Sequence, residues 1–276
     1  MNGAVALTTL LLLGSGHPVG IRWEKGFDEA LKKAQASKRP VLVDFWAEWC
    51  GWCHRLDRTT YVDPVVVKMA ERFVSVKVNT EGGAAETAIA IRYDVSSLPT
   101  IAFLSPHGRP LLRMNGYQTA SQFQGTMEKA KEVAARVMAW EATIDGDPRD
   151  AEALAALGVH LFEQDAYGES AHMLQRAAQV DVRRPLDERK QTRLLLGAIL
   201  KSDEKFKDAE SVIQTGLALA PNEHFDPKLL YVLGKVYVAW GRRDLARPPL
   251  QKVVSLYPQS PIAQKARETL VELESK

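Results

Sequence analysis

The chain has 276 residues, of which 46% are hydrophobic and 25% charged, with 36 Lys and Arg, 34 Asp and Glu, and two cysteines. This length predicts two domains, and the composition excludes disordered and collagen-like chains. A formal net charge of +2 lacks the basic excess of a nucleic-acid-binding protein, and two cysteines are too few for a disulfide framework or a four-thiolate zinc site.

Residues 1–20 contain an apolar stretch at 4–13, followed by small residues at 14–16. The stretch is too short to cross a bilayer as a helix, which needs about 20 residues, but it is typical of a secretory signal. No Lys or Arg precedes Arg22, so the usual positive region is missing. We predict a signal and a periplasmic or otherwise exported protein with no further membrane span. The alternatives are an uncleaved N-terminal anchor, or a buried first strand or helix in a cytoplasmic protein.

Residues 22–140 alternate between helical and strand patterns. The predicted elements are a helix at 23–36, a strand at 41–46, a helix from Cys50, a helix opened by Asp63 and Pro64, a strand at 73–78, a short helix at 84–93, strands at 100–104 and 111–115, and a helix at 121–140. This alternation predicts a mixed sheet with helices on both faces.

Cys50 and Cys53 stand where the strand at 41–46 turns into a helix. A thiol at a helix N-terminus lies near the positive end of the helix dipole and near unpaired N–H groups. Both stabilise the thiolate and lower the cysteine pKa from about 8.5. The pattern therefore predicts a reactive cysteine pair.

The sequence VLVDFWAEWCGWC at 41–53, with VSSLPTIAFL at 95–104, resembles the thioredoxin fold over roughly residues 22–137. The segments FDEAL and TTYVDPVVV, on either side of it, are similar to the exported thioredoxin-like domains of transmembrane thiol:disulfide interchange proteins. The resemblance implies an α/β fold with a mixed central sheet.

The resemblance also implies roles for individual residues. Cys50 matches the attacking thiol, and Cys53 matches the resolving thiol. Asp44 matches a buried carboxylate, with a raised pKa, that helps move the proton of Cys53. Pro99 matches a proline whose preceding peptide bond is cis and which presents the Leu98 backbone to an extended substrate.

Lys77 matches a lysine that pairs with the buried carboxylate. Substrate-binding positions are implied at Trp49, Gly51, Trp52, Leu98 and Thr100. The pair Gly51-Trp52 departs from the Gly-Pro of thioredoxins, and this dipeptide tunes the reduction potential, so the resemblance does not set the direction of electron flow. Three of these residues also have a purely structural interpretation: a strand carboxylate at a polar edge for Asp44, a solvated lysine for Lys77 and core packing for Trp52.

Two other kinds of site share the C-x-x-C pattern. Half of a zinc site would need a second ligand pair, and the histidines show no H-x₃₋₅-H spacing. Cys50 to His54 also reads C-x-x-C-H, the attachment pattern of c-type haem, although such a site does not usually follow a buried strand. We predict no metal and no organic cofactor, only a redox-active disulfide.

Residues 146–276 have a different composition, rich in alanine and leucine and without strand patterns. Leu-Gly pairs recur at 157–158, 196–197 and 233–234, spacings that fit a 34-residue unit with short insertions. Small residues follow at the twentieth position of each unit, and larger apolar residues at the twenty-fourth: Ser170, Ala209 and Ala246, then Leu174, Ile213 and Leu250.

This pattern is similar to tetratricopeptide repeats, three of them, with 262–274 as a capping helix; a generic helical bundle is the alternative. Such a solenoid presents a groove for a peptide or partner helix, or it serves only to dimerise or stiffen the protein. We predict a protein thiol-disulfide oxidoreductase whose repeats recruit a client and whose pair is reset by an upstream redox partner. The alternative is an adaptor or chaperone-like module with a secondary redox role.

Overall fold

The computed structural model describes residues 20–274, so the predicted signal lies outside the described residues except for Gly20. Within them, no helix is long and apolar enough to cross a bilayer. The first half forms a five-stranded sheet in the order β1-β3-β2-β4-β5. Its strands are β1 Trp23–Glu24, β2 Val41–Trp46, β3 Val74–Asn79, β4 Thr100–Leu104 and β5 Pro110–Asn115.

Helices cover both faces of this sheet, as predicted. They are α1 Phe27–Ser37, α2 Gly51–Thr59, α3 Pro64–Ala70, α4 Ala84–Arg92 and α5 Ala120–Gly146. β1 and β2 run parallel to β3, whereas β4 is antiparallel to β2 and to β5. Alternate residues of β2 face opposite layers: Val43 packs with α1 and α4, and Leu42 packs with α2, α3 and α5. Asp44 therefore points to the same face as Leu42, the face that α2 covers.

Two predicted boundaries are wrong. Trp23 lies in β1, paired with Ser75 of β3, and α1 begins only at Phe27. The helical spacing of apolar residues extends back to Trp23, but the backbone of Gly26 is extended, so the helix cannot include the residues before it. The backbone hydrogen bonds of Trp23 are made to β3 and not within a helix. The closing helix α5 runs to Gly146, past the predicted end at 140, because its later turns pack on the helical half of the chain.

The second half contains helices joined by turns, and no strand, over the described residues. Three helical pairs and a final helix follow one another: α6 Ala151–Glu163, α7 Tyr167–Val180, α8 Leu186–Ser202, α9 Phe206–Leu217, α10 Asp226–Ala239, α11 Arg243–Leu256 and α12 Pro261–Glu274. Each helix packs mainly on its neighbours in the chain, as in a helical-repeat solenoid.

One contact recurs in each helical pair. A Cβ added to Gly158 would lie 2.8 Å from Leu174, and Cβ atoms added to Gly197 and Gly234 would lie 2.6 Å from Ile213 and from Leu250. The small residues Ser170, Ala209 and Ala246 are fully buried in the same seams. Each pair is therefore built around close helix approach at a glycine, which confirms the tetratricopeptide-like repeat predicted from the Leu-Gly pairs.

Replacing Gly234 with alanine should destabilise the protein, although alanine is the better helix former. The new methyl group meets the buried, branched Cγ of Leu250, and overpacking of this kind costs about 1–3 kcal/mol. The gain in helix propensity offsets at most about 1 kcal/mol. We expect urea unfolding to show a net loss of about 1–2 kcal/mol.

Gly125 provides the matched control, because it is exposed within α5 and an added Cβ would meet nothing within 4 Å. Gly125→Ala should raise the free energy of unfolding by up to about 1 kcal/mol. Equal effects of the two substitutions would contradict a tight seam at Gly234.

The two halves of the chain are joined by polar contacts as well as by α5. Glu141, buried in α5, accepts hydrogen bonds from Ser105 at 2.7 Å and from Arg109 at 2.9 Å, and Arg109 also pairs with Glu169 of α7. The ring of His160 in α6 lies 3.0 Å from the carbonyl oxygen of Pro110. These contacts attach the first repeat to the end of β4 and the start of β5.

Candidate active site

Cys50 and Cys53 form a disulfide at the start of α2, with their Cα atoms 5.3 Å apart. Cys50 is the N-cap residue, and its sulfur accepts a hydrogen bond from the backbone N–H of Cys53 at 3.1 Å. The same N–H would stabilise a Cys50 thiolate after reduction. Cys50 is 3% exposed and Cys53 is fully buried, so a thiol approaching from solvent reaches Cys50 first.

Asp44 is fully buried in β2, on the sheet face beneath α2. Burial raises the pKa of Asp44 to about 6, against the opposing effect of Lys77, whose Nζ lies 3.3 Å from Oδ2. Oδ2 thus faces the Lys77 ammonium, although neither carboxylate oxygen makes a hydrogen bond of good geometry within the described residues. A buried carboxyl that titrates near neutrality is suited to accept a proton from a thiol.

Lys77 is held from several sides, so it is not a solvated strand residue. It stands opposite Asp44 in the β2–β3 register, and its Nζ also lies 2.5 Å from Asp57 Oδ1. The rings of Trp23, Trp46 and Tyr61 surround it, with centroids 5.4, 5.3 and 5.7 Å from Nζ.

Sequence reasoning missed Asp57 and Tyr61. Asp57 follows Cys53 by one helical turn, a spacing that places both side chains on the inner face of α2 and could have indicated a second carboxylate there. Burial raises the pKa of the Tyr61 hydroxyl well above its usual value, which keeps it neutral beside Asp44. No local pattern marked Tyr61.

The Leu98–Pro99 peptide bond is cis, as the resemblance implied. The carbonyl oxygen of Pro99 accepts a hydrogen bond from Gly116 at 2.8 Å, so the loop after β5 lies beside this segment. The hydroxyl of Thr100 is buried, 2.7 Å from the carbonyl of Ser97. Thr100 as a whole is 1% exposed, so it does not lie on the surface beside the disulfide.

Trp49 and Trp52 flank the disulfide and are 68% and 54% exposed, which excludes core packing for Trp52. The indole N–H of Trp49 donates to Glu81 at 2.8 Å. Gly51 has open space where a Cβ would stand. This surface leaves room for a polypeptide next to Cys50.

His54, the histidine of the C-x-x-C-H pattern, has Nε2 2.8 Å from the carbonyl oxygen of Glu48. Its ring packs edge-on against Trp46. Within residues 20–274, no three His, Cys, Asp or Glu side chains are grouped in a way that could hold a metal ion.

A family model for a thioredoxin-like domain matches residues 27–131. Chloroplastic thioredoxin Y of Oryza sativa subsp. japonica is 39% identical over 108 residues, which cover 39% of this chain and 59% of that protein. The thiol:disulfide interchange protein DsbD of Vibrio vulnificus is 31% identical over 108 residues, covering 38% of this chain and 18% of that protein. Among solved structures, the crystal structure of MamA aligns with a TM-score of 0.41 at 20% identity, covering 56% of this chain and 84% of MamA. The chain thus spans less than two thirds of the length of thioredoxin Y and of DsbD.

Proposed function

Because residues 27–131 form a thioredoxin-like domain, we propose that this protein is a thiol-disulfide oxidoreductase that acts on protein disulfides. The observation that carries the proposal is the Cys50–Cys53 disulfide at the start of α2, on the sheet face that carries the buried Asp44. In this proposal the pair needs no metal or organic cofactor.

In the reducing direction, the Cys50 thiolate attacks one sulfur of a substrate disulfide. A bond forms between Cys50 and that sulfur, and the other substrate sulfur leaves as a thiolate and takes up a proton. Asp44 accepts the proton of Cys53, whose thiolate then attacks the Cys50 sulfur and displaces the second substrate thiolate. The proton on Asp44 passes to this second thiolate, and the first thiolate takes from solvent a proton equivalent to the one that Cys50 released on ionising. The substrate thus gains two electrons and two protons, and the enzyme pair becomes a disulfide.

A dithiol redox partner would return the pair to its reduced form. We place the protein in an exported compartment, on the apolar stretch at 4–13 and the similarity to a thiol:disulfide interchange protein. We assign the repeats the recruitment of a client or partner protein, since a solenoid offers an extended binding surface.

The proposal is tested by assaying the full chain for dithiothreitol-driven reduction of insulin and of bis(2-hydroxyethyl) disulfide. The wild type should turn over both substrates. Cys50→Ser should fall to the uncatalysed rate while keeping its far-ultraviolet circular dichroism spectrum, because the attacking thiolate is lost. A wild-type rate no higher than that of Cys50→Ser on either disulfide would refute the proposal.

A further inference from the structure

Three side chains beside the disulfide form a cluster that the proposed mechanism does not use. They are Trp52, Arg55 and Tyr117. The guanidinium carbon of Arg55 lies over both aromatic rings, 5.2 Å from the Trp52 centroid and 4.9 Å from that of Tyr117. The two rings are themselves 5.6 Å apart. The guanidinium group is thus held at a fixed place on an otherwise exposed helix surface.

Hydrogen bonds orient this cluster. The hydroxyl of Thr59 donates to the carbonyl oxygen of Arg55 at 2.7 Å. Thr59 has only one hydroxyl proton, so in its 3.2 Å contact with Tyr117 the tyrosine hydroxyl is the donor. Thr59 therefore ties the Tyr117 hydroxyl to the helix that carries Arg55.

Arg55 retains unused donors. A guanidinium has five N–H groups in one plane, and an attraction between its charge and an aromatic ring does not require these donors. Within residues 20–274, no carboxylate lies within ion-pair distance of Arg55. The described part of the chain therefore offers a preorganised cation without an anion.

The cluster lies beside the segments at which a substrate chain is expected to bind. Trp52 lies between the two cysteines in sequence, and Tyr117 directly follows Gly116, whose N–H binds the Pro99 carbonyl. The two sides of the disulfide differ in charge. On the Trp49 side lies the carboxylate of Glu81, whereas on the α2 side Arg55 and Arg58 are exposed to solvent. An acidic ligand is thus favoured on the α2 side.

We propose that the Trp52–Arg55–Tyr117 cluster binds a carboxylate side chain close to the disulfide of an acidic polypeptide, which makes Arg55 a specificity-determining residue. This inference rests on the proposed function and names the substrate class of that same site. The aromatic rings contact the chain around the carboxylate, and Arg55 forms a two-point ion pair with the carboxylate itself.

The test compares two peptides that each carry one cysteine, blocked as a disulfide with 2-mercaptoethanol. One peptide has Asp on both sides of the cysteine and the other has Lys. In low salt we expect the reduced wild-type full chain to react about fivefold faster with the Asp peptide than with the Lys peptide. A ratio of this size corresponds to the free energy of one exposed ion pair. The preference should fall in 0.5 M sodium chloride.

Arg55→Gln should bring the ratio of the two rate constants close to one, and Arg55→Lys should restore part of it because the charge returns. Arg58→Gln is the control, since Arg58 is exposed on the same helix and makes no ring contact among the described residues. An equal loss of preference in Arg55→Gln and Arg58→Gln would overturn the proposal, as would equal wild-type rates with both peptides. Turnover of bis(2-hydroxyethyl) disulfide by the wild type and by Arg58→Gln separates this failure from failure of the oxidoreductase itself.

Discussion

Replacing Cys53 with serine is expected to convert a transient mixed disulfide into a stable one. Cys50 can still attack a substrate disulfide, because it keeps its place at the N-terminus of α2 and the N–H of residue 53. The second attack is lost, since no other cysteine exists in the chain. The lifetime of the adduct should therefore lengthen by orders of magnitude.

The adduct is measured by mixing reduced Cys53→Ser with a peptide disulfide and following the mass of the protein under non-reducing conditions. Dithiothreitol should release the peptide. Cys50→Ser is the matched control and should form little adduct, because Cys53 is fully buried while Cys50 is the more accessible sulfur. Comparable adducts on both variants would mean that the assignment of attacking and resolving thiols is wrong.

Asp44→Asn is expected to stabilise the oxidised protein at neutral pH. The pKa of Asp44 is raised from 3.8 to about 6 in the folded state because burial disfavours the charged form. Between these values the unfolded chain binds fewer protons than the folded one, so the wild type loses stability as pH rises from about 4 to above 6. The loss corresponds to at most about 3 kcal/mol, and an uncharged asparagine avoids it.

Urea unfolding of wild type and Asp44→Asn at pH 4 and pH 7.5 measures this effect. The variant should be more stable at pH 7.5, and the difference should shrink towards pH 4. Glu132→Gln serves as the control, because Glu132 is exposed on α5, and it should show no such pH-dependent gain. A difference that grows as pH falls would show that Asp44 is stabilised as the carboxylate.

The same substitution should slow catalysis while it stabilises the fold. Asparagine cannot accept the proton of Cys53, so resolution of the mixed disulfide should become slower and rise with pH as the thiol ionises by itself. Stopped-flow measurement of this step across pH distinguishes lost proton transfer from a general structural defect, which would lower the rate equally at every pH.

The residues that could be predicted from sequence are those whose role is fixed locally. Cys50 and Cys53 were visible from the strand-to-helix turn that holds them, and the repeat glycines from their spacing along the chain. Asp44 and Pro99 required the resemblance, because a lone carboxylate in a strand and a lone proline have several structural explanations.

The features that sequence reasoning missed depend on contacts between distant segments. The sequence around Trp23 is compatible with a helix and with a strand. Trp23 forms a strand because it pairs with the edge of β3, a contact that the local sequence does not show. Tyr61 and Tyr117 come from loops whose positions depend on the complete sheet and on α5. Arg55, the partner of Tyr117, looks like an ordinary surface cation in the sequence, and Lys77, the partner of Tyr61, was recognised only through the resemblance.

The attachment of the first repeat to the start of β5 sets a distance between the repeats and the disulfide, which matters for the proposed recruitment of a client. Pro110 pairs with Leu104, which pairs with Val41 at the start of β2, whereas the disulfide follows the far end of that strand. Along β2 this separation is about 16 Å. If the repeats recruit a client as proposed, the client would meet Cys50 as a tethered reactant, at an effective concentration set by the length of its flexible segment. The proposed recruitment would then favour clients with a long mobile chain between anchor and disulfide over clients with a short rigid one.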